Sequence, residues 1–221
     1  MKRSTPVWAG LAALGMAFGL GMVFARRASA SGYESPDYDV ETQMNDWEVR
    51  RYQPTIQARI IVQGSYEQAK QRGFRQLAGY IFGDNRPNQR IAMTVPVGVS
   101  PAEAEGEKIA MTVPVGITGV ENGRWRVTFM MPTRWTMETL PAPNNSNIEL
   151  IEIPGDRMAA LRYSGRDDAT QATAKTTRLL DAIATAGLQP AGPPTVAIYN
   201  GPWVPGPFRQ NEILIPVQDA D

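Results

Sequence analysis

The stretch Trp47–Ser65, with the sequence WEVRRYQPTIQARIIVQGS, decides the fold because its pattern returns 101 positions later. The later stretch is Ile148–Arg166, with the sequence IELIEIPGDRMAALRYSGR, and the two align without a gap. Apolar residues fill alternate positions in both stretches, which is typical of β-strands with one buried face. We interpret the pair as a duplicated unit of two strands, which predicts a domain built of two similar halves. Chance similarity of two amphipathic strand pairs is the alternative.

A helix is predicted after each copy of this unit. Ser65 and Gln68 have the spacing of a capping box, so the first helix begins there, runs to about Ile81 and ends at Gly83. Either Asp167 or Asp168 caps the second helix, which ends at Gly187. The first helix turns one face toward the sheet, formed by Ala69, Gly73, Leu77 and Tyr80.

An octapeptide, IAMTVPVG, occurs twice, at Ile91–Gly98 and at Ile109–Gly116. Its alternate residues are apolar, which favours a strand, and its proline cannot donate a ladder hydrogen bond. The pattern predicts two short strands joined as a hairpin, each ending, bulging or lying at a sheet edge at Pro96 or Pro114.

Further strands are predicted at Trp125–Met131, Thr195–Tyr199 and Asn211–Val217. Proline-rich loops fill 134–147 and 201–210. The sum is an α+β domain, a curved and mostly antiparallel sheet with two helices packed on it.

The first 30 residues have the pattern of an export signal or a membrane anchor. Lys2 and Arg3 precede the apolar run Val7–Ala25, and Arg26–Arg27 and a small-x-small site, Ala28–Ala30, follow it. The run is nearly long enough to span a bilayer, so cleavage and retention both stay open. Either reading predicts an exported protein of the periplasm or cell envelope, with a possible membrane tether.

The predicted organisation has four parts. Residues 1–30 form the signal or anchor and residues 31–37 a linker. Residues 38–217 form the folded domain and residues 218–221 a tail.

Composition excludes several classes of function. The chain has no net charge, and removing the basic first 30 residues leaves 18 basic and 22 acidic groups, so nucleic acid is not expected as a partner. The chain contains neither Cys nor His, which removes thiolate metal sites, Cys nucleophiles and Ser-His-Asp arrangements. A catalytic site would have to use Asp or Glu, Lys, Tyr or Ser–Lys pairs.

Several short motifs follow one another from about Tyr38 to Val217. They are Trp47–Tyr52 (WEVRRY), Gly73–Ile81 (GFRQLAGYI), the two octapeptides, Val127–Pro132 (VTFMMP), Thr139–Pro143 (TLPAP), Tyr199–Trp203 (YNGPW) and Arg209–Glu212 (RQNE). In this order the motifs resemble those of the SOUL heme-binding family. The resemblance implies a distorted, mostly antiparallel β-barrel of two pseudo-repeats flanked by two helices, similar to effector-binding domains.

The resemblance implies non-covalent binding of heme or a related tetrapyrrole, with no reaction attached. The groove expected from it lies between the exposed side of the first helix and the loop before the last strand. The residues that the resemblance assigns to the groove are Gln71, Phe74, Ala78, Tyr199, Trp203 and Arg209. Because the chain has no His, axial His ligation is impossible and only Met, Tyr or Lys could reach the iron.

The sequence also contains residue types that could contact a porphyrin. A porphyrin is a flat apolar disc with two carboxylates, so it needs an apolar wall and a cation at the rim. Met93 and Met111 are further wall candidates, and Arg75 or Arg209 can meet the carboxylates. The alternatives are a lipid or amphiphile effector-binding or sensor module that docks partners through the same groove, and a hydrolase acting on a bound amphiphile.

Overall fold

A computed structural model describes residues 33–86, 106–201 and 203–220. Two helices, α1 (Tyr66–Ile81) and α2 (Ala169–Thr185), pack on a large antiparallel sheet. The strands of the first half are β1 (Tyr38–Gln43), β2 (Trp47–Tyr52), β3 (Thr55–Gln63), β4 (Asn85–Arg86), β5 (Val115–Val120) and β6 (Arg124–Met130). Those of the second half are β7 (Ala142–Pro143), β8 (Glu149–Ile153), β9 (Arg157–Ser164), β10 (Leu188–Pro190), β11 (Thr195–Ile198) and β12 (Gln210–Asp219).

The main sheet curls into a half-barrel. Its strand order is β1-β2-β9-β12-β11-β5-β6-β3-β8, with β10 added on β12, while β4 and β7 form a separate small ladder. Within the described residues the two end strands, β1 and β8, do not pair with each other. The predicted fold class is therefore confirmed, and the barrel is open on one side.

The strand order is a palindrome about the β11–β5 pair, if β1 is set aside. Read from both ends, β2 matches β8, β9 matches β3, β12 matches β6 and β11 matches β5. Thr118 and Thr195 are paired across this central ladder, with their hydroxyl oxygens 2.7 Å apart. The 101-residue repeat thus predicts a real pseudo-twofold relation, whose axis passes between β5 and β11.

The halves exchange their first strands. β2 does not pair with β3, its neighbour in sequence, but with β9 of the other half, and β8 pairs with β3. A repeated pattern of two strands predicts the strands but not this exchange, because alternation says which face is buried and not which edge is paired.

Both helices lie on the same face of the sheet. Ile117 belongs to the core cluster under α2 and Val115 packs against the cluster under α1, and these residues share one face of β5. Ser65 caps α1 through the predicted capping box, and Asp168 caps α2 by accepting from the Gln171 N–H at 2.9 Å. Both helix predictions are confirmed to within two or three residues.

The second octapeptide is not a strand over most of its length. The amide of Ile109 donates to the Ile81 carbonyl and that of Val113 donates to the Glu34 carbonyl, so this segment bonds a helix end and the N-terminal segment. The strand β5 starts only after Pro114, at Val115. The strand prediction for 109–114 is therefore wrong, although Ile109 and Val113 are buried as their spacing predicts. The first octapeptide lies outside the described residues, as does Met93.

The predicted signal or anchor also lies outside the described residues. Among the helices of the part that is described, none combines the length and the hydropathy of a membrane span.

Candidate functional site

The exposed side of α1 carries the first three predicted residues in three different settings. Gln71 is exposed on the helix surface. Phe74 is 37% exposed, and its ring packs edge-to-face on Phe129 of β6 with centroids 5.4 Å apart. Ala78 is only 9% exposed and lies in the core cluster that contains Ile81 and Ile109. Phe74 is thus the aromatic side chain that α1 offers to a ligand, with Gln71 one turn before it.

Arg209 lies beside this helix, held there by a shared carboxylate. Lys70 of α1 places its Nζ 2.8 Å from Asp167, and Arg209 places Nη1 3.4 Å from the same side chain. The Nε of Arg209 also donates to the Val204 carbonyl at 2.7 Å. The loop before β12 is therefore fixed next to the N-terminal half of α1.

The same loop presents two large aromatic side chains to the surface. Trp203 is 74% exposed and Phe208 is 77% exposed. The Gly165 amide donates to the Gly206 carbonyl at 3.1 Å, which ties the loop to the turn before α2. The Trp203 ring lies so close over Gly201 that a Cβ at that position would overlap it. Trp203 and Arg209, the two predicted residues of this loop, thus lie in a segment that is hydrogen-bonded to the rest of the domain.

Tyr199 lies on the other face of the sheet. It packs against Ala160, Ala197 and Leu214, which alternate with residues of the helix-side core. Its hydroxyl donates to Oε2 of Glu212 at 2.7 Å. The structure therefore brings Arg209 to α1 and turns Tyr199 away from it.

Glu212 and Arg50 form the centre of a buried polar network on this helix-free face. Arg50 is 1% exposed and Glu212 is fully buried. Arg50 donates from Nη1 to Oε2 of Glu212 at 2.8 Å and from Nη2 to Oε1 at 3.0 Å, and from Nε to Glu48 at 2.7 Å. Arg162 adds two bonds to Oε1, at 3.1 and 2.9 Å.

Aromatic side chains complete the network. Nη1 of Arg50 donates to the Tyr52 hydroxyl at 2.8 Å, and the guanidinium carbon lies 4.3 Å from the Tyr38 ring centroid. Two guanidinium groups face two carboxylates, so the network carries no net formal charge. The strand pattern did not predict this network. Glu48 and Arg50 alternate with the apolar Trp47 and Val49, so the pattern predicts that their side chains face solvent. Only the Arg-x-Asn-Glu motif of the family resemblance pointed toward Glu212.

Two groups of the network, the Glu212 carboxyl and the Tyr199 hydroxyl, have pKa values shifted away from their usual ranges. Burial alone would raise the pKa of the Glu212 carboxyl, but the hydrogen bond and charge of Arg50, with Tyr199 and Arg162, hold it below its usual value. Burial, then the Glu212 charge, raises the pKa of Tyr199 well above its usual value. Glu212 therefore stays ionised and Tyr199 stays protonated, which suits a structural cross-link between strands and gives neither group a proton to exchange.

Within the described ranges no group of three or more His, Cys, Asp or Glu side chains is placed to hold a metal ion.

The sequence model of the SOUL heme-binding protein family matches residues 33–216, most of the chain. The chain belongs to this family. The matched region begins five residues before β1 and ends within β12. At the level of the family, the protein is a heme-binding protein whose expected ligand is small and hydrophobic.

Solved structures with a similar fold share little sequence with this SOUL domain. The EcmrR C-terminal domain is 12% identical with a TM-score of 0.53, over 79% of this chain and 98% of that one. A hydrolase from Listeria innocua is 13% identical with a TM-score of 0.51, over 78% of this chain and 92% of that one.

EcmrR in a complex with DNA is also similar, at 11% identity and a TM-score of 0.55, over 79% of this chain and 57% of that one. At such identities the likeness shows the fold alone. The comparison with curated proteins found no match.

The helix-side residues fit a tetrapyrrole ring better than they fit its iron. The half-exposed Phe74 ring offers an apolar contact, and Arg75 is exposed one residue further along α1. Of the two basic residues next to Gln71 in the chain, Arg72 is exposed, whereas Lys70 is held by Glu67 at 2.7 Å and by Asp167 at 2.8 Å. A ring would therefore be held by stacking and carboxylate pairing, and no His exists to bind the metal.

Proposed function

We propose that the SOUL domain binds heme or a related tetrapyrrole without a covalent bond and without catalysing a reaction. The ring would lie on the surface between the exposed side of α1 and the loop before β12. Membership of the family over residues 33–216 carries this proposal.

The geometry of α1 and the loop supports this surface over others. Phe74 packs on Phe129, and the bonds of Asp167 to Lys70 and Arg209 keep the Arg209 end of the loop next to the helix. Rigid aromatic walls lower the entropy lost on binding. The cations for the two ring carboxylates are Arg75, which is exposed on α1, and Arg209, whose Nη1 lies at the longer distance of 3.4 Å from Asp167.

Tyr199 contributes indirectly in this proposal. Its hydroxyl is bonded to Glu212 on the opposite face, so it fixes the strand end from which the loop starts. Ala78 also contributes indirectly, because it is a small buried residue of α1 and does not contact the ring.

The absence of His makes a direct prediction about the metal. Without a His–iron bond, ring contacts provide the affinity, so ferric heme and metal-free protoporphyrin should bind with dissociation constants within about threefold of each other. Titration of the purified protein with each compound, followed by absorbance, measures both constants. Saturable one-to-one binding of both supports the proposal, whereas binding of heme alone would require an iron ligand and would contradict it.

Export to the periplasm or envelope belongs to the same proposal, since residues 1–30 have the pattern of a signal or anchor. Fractionation of cells producing the full chain tests it, and recovery in the cytoplasm would contradict it.

A further inference from the structure

A cavity of about 540 Å³ lies at the end of the sheet where β3 begins and β6 and β8 end. We refer to it as the end cavity. Its volume falls within the range of small-molecule sites. Its lining contains none of the six residues predicted for the tetrapyrrole surface. It consists of Glu34–Asp37, Gln53–Ile56, Met130–Thr133, Trp135 and Glu152–Pro154.

The walls of the end cavity are apolar and adaptable. Met130 and Met131 lie next to each other at the end of β6, and Trp135 and Ile56 pack against the core under α1. Methionine and tryptophan side chains form favourable contacts with aromatic bodies, and an indole face attracts organic cations. Four prolines, Pro36, Pro54, Pro132 and Pro154, stiffen the surrounding backbone.

The charged residues of the lining are all acidic. They are Glu34, Asp37 and Glu152, and the described lining includes neither Lys nor Arg. No salt bridge among the described residues involves any of the three carboxylates. The guanidinium carbon of Arg134 lies 5.1 Å from the Trp135 ring centroid, but Arg134 is not among the residues that line the cavity. The carboxylates of a tetrapyrrole would be repelled here, whereas a cation would be attracted.

The segment Glu34–Asp37 closes one wall and is itself anchored. The Val113 amide donates to the Glu34 carbonyl at 2.9 Å, and the Thr133 amide donates to Oε1 of Glu34 at 2.7 Å. The Gln53 amide donates to the Asp37 carbonyl at 3.0 Å. The wall is therefore formed before a ligand arrives, which lowers the cost of binding.

We propose that the end cavity is a second ligand site, which takes a small organic cation with an aromatic or apolar body. The body would contact Met130, Met131 and Trp135, and the cationic group would lie near Asp37 and Glu152. This site is independent of the tetrapyrrole surface.

The probes are (1-naphthylmethyl)trimethylammonium and the anion 1-naphthylacetate, titrated into the purified protein by calorimetry. The cation should bind one to one and the anion at least about tenfold more weakly, because its charge faces three carboxylates. Substituting Asp37→Asn with Glu152→Gln should weaken cation binding at least about fivefold. The control, Glu121→Gln with Glu149→Gln, removes two exposed carboxylates outside the cavity and should change binding less than about twofold.

The position of the ligand is checked by methionine methyl NMR. The methyl signals of Met130 and Met131 should move on addition of the cation, while those of Met44 and Met158, which lie outside the lining, should not. Phe74→Glu should leave cation binding unchanged, which separates this site from the tetrapyrrole surface. The proposal would be overturned if the protein bound the cation and the anion with equal affinity. It would also be overturned if the Asp37 and Glu152 double variant bound the cation as tightly as the wild type does.

Discussion

At the scale of single residues, Glu212 of β12 joins β2, β9 and the segment after β11 through one buried carboxylate. Its two oxygens accept from Arg50, Arg162 and Tyr199, and all of the carboxylate is buried. Removing one partner of a buried ion pair leaves an uncompensated charge, which costs far more than the pair itself contributes.

Replacing Glu212 with Gln should therefore lower the free energy of unfolding by about 3–5 kcal/mol, because Arg50 loses its buried counter-charge. Urea unfolding followed by circular dichroism measures this change. Glu149→Gln is the matched control, since that carboxylate pairs with Arg59 at the surface and its loss should lower the free energy of unfolding far less than the loss of Glu212 does. Equal losses of unfolding free energy in the two variants would contradict the stabilising role given to the buried network.

The depressed pKa of Glu212 also predicts how stability depends on pH. A carboxyl whose folded pKa is below its unfolded value contributes stability above the unfolded value, near pH 4.5, and loses it as pH falls through the folded pKa. Tyr199→Phe removes one hydrogen bond that lowers this pKa. The variant should lose about 1–3 kcal/mol at pH 7 and should then lose less than the wild type between pH 5 and pH 3.

Unfolding by urea at pH 7, 5, 4 and 3 measures both parts of this prediction. Tyr66→Phe is the control, because the Tyr66 hydroxyl is buried without a partner in the described part of the chain. That variant should keep the wild-type pH profile. A Tyr199→Phe profile parallel to that of the wild type would contradict the role given to the Tyr199 hydroxyl.

At the scale of elements, α1 is fitted to the sheet through a glycine. A Cβ at Gly73 would lie 2.5 Å from Cγ2 of Val127 on β6, whereas a Cβ at Gly79 would meet nothing closer than the Asp84 side chain at 3.9 Å. Both glycines lie inside the same helix, where Ala is favoured over Gly by about 1 kcal/mol.

Gly73→Ala should therefore destabilise the domain by about 1–3 kcal/mol, because overpacking exceeds the gain in helix propensity. Gly79→Ala should stabilise it by up to about 1 kcal/mol. Thermal unfolding of the two variants compares them directly. A stabilising Gly73→Ala would mean that α1 packs less closely on β6 than its geometry indicates.

The same scale shows why the helices could be predicted and the second octapeptide could not. Ser65, Gln68 and Asp168 act through bonds to residues three positions away, so sequence spacing contains the information. The segment 109–114 bonds to Ile81 and Glu34, which are distant in the chain. Alternating apolar residues predicted its burial correctly, but burial does not reveal the hydrogen-bond partners that define a strand.

At the scale of the whole molecule, the 101-residue repeat predicted two halves, and the palindromic strand order confirms them. The exchange of β2 and β8 between the halves could not be predicted, because it depends on pairing between distant strands. The Arg50–Glu212 bond follows from this exchange, since it joins residues 162 positions apart. The end cavity was missed for the same reason, because four separate segments form its walls.

The predicted ligand residues occupy two faces of the sheet, so a residue on the helix-free face can serve as a reference for the tetrapyrrole surface. Phe74 and Arg209 lie on the helix side, while Tyr199 lies on the helix-free side with Glu212. Ile61 is a matched reference on the helix-free face, since it is 44% exposed and its partner on β6 is Arg126. A carboxylate introduced at either position changes the net charge equally.

The most direct test is an absorbance titration of Phe74→Glu and Ile61→Glu with metal-free protoporphyrin. We expect Phe74→Glu to weaken binding at least about tenfold, because a carboxylate replaces the aromatic wall and repels the ring carboxylates. We expect Ile61→Glu to bind protoporphyrin as the wild type does. If Phe74→Glu and the wild type bound protoporphyrin with equal affinity, the placement of the tetrapyrrole on α1 would be contradicted.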